Sequence, residues 1–137
     1  MILQKIIFFL FLTLTFQCEY DSRLNNYKDY AEAINQKKSD RAWLPKILLL
    51  SANSISEKHD LDTNRVWVSY YAENNELRNL VKKETSDPDL KNSFIQNVDN
   101  FAKAASFNEK LFYFKFTDGI YAIDLNNNIV YFISNCL

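Results

Sequence analysis

His59 is the only histidine among 137 residues, and carboxylates crowd around it: Glu57, Asp60 and Asp62 lie within three positions, with Asn64 just beyond. An imidazole beside a carboxylate is a standard acid–base pair near neutral pH. Ser51 and Ser54 upstream would supply a nucleophile for a small hydrolase built on the His59 neighbourhood. Residues adjacent in a polar turn need not face one another, however, and no serine sits in the G-x-S-x-G turn that exposes a nucleophile. No catalytic residue is therefore assigned. His59, Asp60, Asp62 and Asn64 are kept together as a candidate functional turn.

The same turn resembles the opening of a calcium loop, with oxygen-bearing side chains at Asp60, Asp62 and Asn64. An EF-hand also needs glycine at its sixth position and an acid at its twelfth. Counting from Asp60, those positions are Arg65 and Tyr71. The economical role is structural, with the side-chain oxygens accepting backbone N–H groups ahead of a strand. One histidine and two distant cysteines, Cys18 and Cys136, offer no zinc spacing. No metal and no cofactor are expected. A single glycine, Gly119, excludes the Gly-rich loops that cradle nucleotide phosphates.

Cys18 carries a different chemistry. Lys5 is followed by an apolar run, Ile6 to Leu14, and the cysteine comes four residues later. A basic start and a nine-residue apolar stretch fit a secretory signal and fall far short of a membrane span of about 20 residues. Residues 1–17 are read as a signal peptide. The placement of Cys18 resembles a bacterial lipoprotein signal, in which that cysteine is lipidated and becomes the first mature residue. Thr15 and Gln17 stand where that motif usually has leucine and a small residue. The resemblance implies a palmitate-type membrane anchor and a cell-envelope location, on the periplasmic or cell-surface side. The alternative for Cys18 is a disulfide to Cys136 in an oxidising compartment.

Sixteen basic against seventeen acidic residues leave a net charge of -1. That balance gives no electrostatic pull toward nucleic acid. The 120 residues after the signal suit one domain.

The elements that must position the turn follow from periodicity. Leu24, Tyr27, Ala31 and Ile34 recur at helical spacing and predict a helix over Arg23–Lys37. Ala42–Leu50 is apolar but interrupted by Pro45, so it reads as a buried irregular segment. Ser54 with Glu57 fits a capping box and a short helical turn. Arg65–Tyr71 alternates as an inner strand. Glu73–Glu84 is a helix. A third helix is opened by Asp87-Pro88 and runs to about Ala105. Leu111–Thr117, Ile120–Leu125 and Ile129–Ser134 form a meander, in which the Phe112, Phe114 and Phe116 stripe is core. Asp118-Gly119 predicts a hairpin turn with the glycine at positive φ. Asn126–Asn128 supplies the next turn. The expected architecture is α+β: a mixed or antiparallel sheet of about four strands with helices on one face, in a single domain over 18–137.

Trp43-Leu44-Pro45, Ser51-Ala52-Asn53-Ser54-Ile55 and Glu57-Lys58-His59-Asp60-Leu61-Asp62-Thr63-Asn64 together resemble a recurring block of small bacterial exported proteins and lipoproteins. In that block W-[IL]-P is followed by S-A and then by I-x-E-x-H-[ND]-[IL]-D-T-N. The resemblance implies that Ser51–Asn64 is one structural unit and assigns no catalytic residue. The resulting expectation is an envelope lipoprotein that binds another envelope protein or a toxin. The alternatives are the His59 hydrolase and a structural envelope component.

Overall fold

The computed structural model describes residues 22–38, 43–98 and 111–135. The signal segment, Cys18, Cys136 and the end of the third helix beyond Val98 lie outside the described residues.

Six strands make one antiparallel sheet: β1 (Ser22–Asp29), β2 (Asn53–Asp60), β3 (Arg65–Tyr71), β4 (Phe112–Phe116), β5 (Gly119–Asp124) and β6 (Ile129–Ser134). Their spatial order is β1-β2-β3-β6-β5-β4, with antiparallel pairing throughout. Among the described residues three short helices accompany them: α1 (Tyr30–Lys38), α2 (Asn74–Lys83) and α3 (Leu90–Asn97).

This corrects the expected architecture. The sheet has six strands rather than four, and its two faces bury separate cores. On one face Tyr27, Ile55, Val68, Tyr70, Phe114, Tyr121 and Phe132 pack with Ala33 of α1, Leu77 and Leu80 of α2, and the segment around Leu44–Leu49. On the other face Trp67, Tyr113, Ala122 and Ile133 pack with Leu90 and Phe94 of α3. The alternation in β3 explains both cores, since Val66, Val68 and Tyr70 feed the first while Trp67 feeds the second.

Two helical expectations give way to strands. Residues 22–29 pair with β2, and the helix begins only at Tyr30. Asp29 Oδ1 accepts the Glu32 N–H at 3.0 Å, and Glu32 Oε2 accepts the Lys28 N–H at 2.7 Å. That reciprocal arrangement is a capping motif and fixes where strand turns into helix. The Ser54–Glu57 stretch is likewise part of β2, where Ile55 and Glu57 both point into the first core. Ser54 adopts φ 48 where the β2–β3 register shifts, which is bulge geometry.

Gly119 is also corrected. It does not take positive φ; among the described residues the left-handed positions belong to Ser54, Asn64 and Asn128. Its requirement is space. A Cβ there would lie 2.1 Å from the Ile133 carbonyl oxygen and 2.6 Å from Phe132 Cε2.

Candidate binding cleft

Residues 43–50 run as irregular backbone across the first face, so their polar groups need partners other than a ladder. Side chains of the sheet supply them. Asp118 Oδ2 accepts the Lys46 N–H at 2.6 Å. The Tyr121 hydroxyl oxygen accepts the Ile47 N–H at 3.2 Å, and Tyr70 donates its hydroxyl to the Ile47 carbonyl at 3.1 Å. Tyr121 also donates to Asp118. Burial, together with the Asp118 carboxylate, pushes the Tyr121 hydroxyl far above its ordinary value, and burial does the same for Tyr70. Both phenols therefore stay protonated and able to donate.

Ser51 closes this strap onto α2. Its hydroxyl accepts the Glu73 N–H at 2.8 Å and donates to Glu76 Oε2 at 2.9 Å. Glu73 is the N-cap residue and makes no side-chain cap of its own. A serine more than twenty residues upstream instead holds the backbone N–H of that N-cap residue.

Between the strap and one end of the central strands β3 and β6 opens a cleft of about 620 Å3. Trp43, Leu44, Val66 and Phe132 give it apolar walls, with Lys37, Lys46, Asn64, Thr117 and Asp118 around them. That volume lies within the range of ligand pockets, about 300–1,000 Å3. Trp43 remains 50% exposed.

His59 sits beneath Trp43. The ring centroids are 4.6 Å apart, and His59 Nε2 lies 3.2 Å from Asn64 Oδ1. The imidazole itself is buried, at 4% exposure. His59 thus supports the cleft wall. Asp60, the next residue on the strand, points to the opposite sheet face, so the two side chains are separated by the backbone. The expected turn is therefore brought together only in part: His59 meets Asn64, and Asp60 meets Asp62 and Thr63. Asp60 Oδ1 accepts the Asp62 and Thr63 N–H groups at 2.9 and 3.2 Å. Burial pushes the Asp60 carboxyl up. The hydrogen bonds from Thr63 and Asp62, with the Lys58 charge, outweigh that and hold it below the usual carboxylate value. Ser51 is committed to Glu73 and Glu76, and Ser54 donates to Asn53 rather than to His59.

Glu57 was read as a neighbour of His59 and as the acid of a capping box with Ser54, but the structure buries it completely. Tyr27 donates its hydroxyl to Glu57 Oε2 at 2.7 Å, while Oε1 has no hydrogen-bond partner among the described residues. Those described residues also contain no group of three His, Cys, Asp or Glu side chains placed to hold a metal ion. No described helix is long and apolar enough to cross a membrane.

Sequence reasoning missed Trp43 as a cleft residue, and it missed Thr117, Asp118 and Phe132. Trp43 carried a usable signal, a large aromatic ahead of a proline in an irregular block. The others come from 70 or more residues downstream and leave no local pattern.

Residues 21–71 match the family model of the YbbD head domain. The matched region runs from the start of β1 to the end of β3, so it contains the strap, His59 and the Asn64 turn. The match supports a small bacterial family, but not the particular string of residues 43–64 on which the expectation rested. No curated protein and no solved structure matches the chain. The remaining cleft wall, from β6 and the β4–β5 turn, lies outside the region that is similar to the YbbD head domain.

Proposed function

We propose that this protein is a binding module of the bacterial cell envelope, exported through residues 1–17, tethered by a lipid on Cys18 and presenting its cleft to a protein partner. One observation carries the reading: a half-exposed tryptophan, Trp43, braced by the buried His59 ring at the mouth of an apolar cleft. Tryptophan in such a setting is enriched among residues that dominate binding energy. The W-L-P, S-A and E-x-H-D-L-D-T-N string is then a cleft-building unit, because Trp43, Leu44 and Asn64 line the cavity while His59 packs against Trp43 and meets Asn64.

Two measurements test this. A photo-crosslinking amino acid replaces Trp43 in the full chain, in cells, with a second chain labelled at the exposed Lys83 of α2. A discrete crosslinked protein from position 43 alone is the expected result; no discrete product from position 43 overturns the binding reading. Separately, labelled fatty acid should enter the wild type and not Cys18→Ser. Equal label in both would sink the anchor.

A further inference from the structure

The cleft carries a charge pattern that the chain as a whole does not. The protein has a net charge of -1, yet Lys37 and Lys46 border the cleft with Asp118 as the one carboxylate among its described lining residues. Asp118 is already engaged: Tyr121 donates to both of its oxygens, and the Lys46 backbone N–H takes Oδ2. Its charge is directed into the strap that builds the cleft. The Lys46 ammonium is different. It carries three N–H donors, and its hydrogen bond among the described residues is to Thr117 Oγ1 at 3.1 Å. An ammonium with donors to spare therefore stands beside an apolar cavity walled by Trp43, Leu44, Val66 and Phe132.

We infer that the cleft takes an acidic segment of the partner protein, with an apolar or aromatic side chain seated against Trp43 and Phe132 and a neighbouring carboxylate held by Lys46 and Lys37. This rests on the binding-module reading and names the chemistry of its occupant. The cavity volume suits a few side chains rather than a whole helix face. Charge complementarity selects an anion, since a basic segment would meet two lysines at the mouth. Trp43 supplies flat apolar area that loses little side-chain freedom on binding.

The test uses the purified full chain in detergent and three acetylated, amidated tetrapeptides: Glu-Phe-Glu-Leu, Gln-Phe-Gln-Leu and Glu-Ala-Glu-Ala. Calorimetric titration should rank the first tightest, with the glutamine peptide weaker by about fivefold. That difference should shrink as salt is raised. Lys46→Met should abolish the Glu-over-Gln preference, and Trp43→Ala should weaken both Phe-containing peptides by about tenfold. Equal binding of the Glu and Gln peptides, a preference that survives in Lys46→Met, or no binding of any peptide would overturn the inference. Decanoate and decanol are titrated alongside. Decanoate binding tenfold tighter than the acidic peptide would assign the cleft to an amphipathic small anion and overturn the peptide occupant. If the crosslink at position 43 persists while the peptide preference fails, the binding module stands and only the occupant's chemistry is wrong. Loss of both removes the two readings together.

Discussion

Asp60 and Asp124 hold the same station in two different hairpins. Each ends its strand and is followed by leucine, two polar residues and an asparagine in the left-handed region: Asn64 at φ 52 and Asn128 at φ 58. Each offers one carboxylate oxygen to the second and third residues beyond it, at 2.9 and 3.2 Å for Asp60 and 2.9 and 3.1 Å for Asp124. The D-L-x-x-N string thus encodes one turn twice, once beneath the cleft and once at the β5–β6 end.

Asp60 makes stability depend on acid. Its carboxyl is held below the ordinary value of 3.8, so the folded chain binds that proton more weakly than the unfolded chain. The associated stability is present above the ordinary value and is lost as pH falls through the lowered folded value. Melting temperature followed from neutral pH to about pH 2.5 should fall less steeply in Asp60→Asn, which keeps an acceptor oxygen without the charge. Superimposable slopes for wild type and variant would show that this carboxylate does not contribute.

Gly119 gives a steric prediction where the sequence had suggested a conformational one. Even Gly119→Ala places a methyl group against the Ile133 carbonyl and the Phe132 ring. The expected cost is about 1–3 kcal/mol, as for other insertions into a packed site. Urea denaturation reads it directly. An unchanged midpoint in Gly119→Ala would mean that β5 and β6 approach less closely than described.

The strands that could be read from the sequence are those whose two faces both bury apolar side chains and whose partners are near in the chain. β3 through β6 meet the first condition, and the β4–β5–β6 meander meets both. β1 and β2 fail for a physical reason. β1 is an edge strand with Tyr27 as its one buried residue, and Leu24 is 61% exposed. β2 turns Ile55, Glu57 and His59 inward, so two of its three core positions are polar and the apolar alternation vanishes. They pair across the intervening helix and strap, with Tyr27 opposite Ile55, beyond any local pattern. The Asp29–Glu32 cap was visible and would have moved the helix start to Tyr30. His59 and Asn64 were legible as neighbours, whereas the cleft needed the fold to bring Trp43 to Phe132.

The Tyr27–Glu57 pair should behave as a unit. Burial, and then the Glu57 hydrogen bond, push the Tyr27 hydroxyl well above its ordinary value, so it remains a donor to Glu57 Oε2. Tyr27→Phe leaves a wholly buried carboxyl without that donor, and Glu57→Met leaves a buried hydroxyl without its acceptor. Each single change should cost about 1–3 kcal/mol. The double variant removes both polar partners and should cost much less than the sum. A double-mutant cycle in urea checks this; strictly additive losses would mean that the two side chains do not depend on each other.

His59→Gln is the variant on which an enzymatic reading turns. A general base needs a reaction partner within about 3 Å and access to substrate. His59 instead spends Nε2 on Asn64, lies buried under Trp43, and is separated from Asp60 by the strand itself. Glutamine can renew the hydrogen bond to Asn64 but cannot titrate near neutral pH. If His59 is a support for the cleft wall, the exchange should lower stability by about 1 kcal/mol and leave complementation of a deletion strain intact. If it is a general base, the rate should fall roughly a hundredfold or more and complementation should fail. Failure at normal protein level and normal melting temperature would put the imidazole's chemistry, rather than its packing, at the centre of what this protein does.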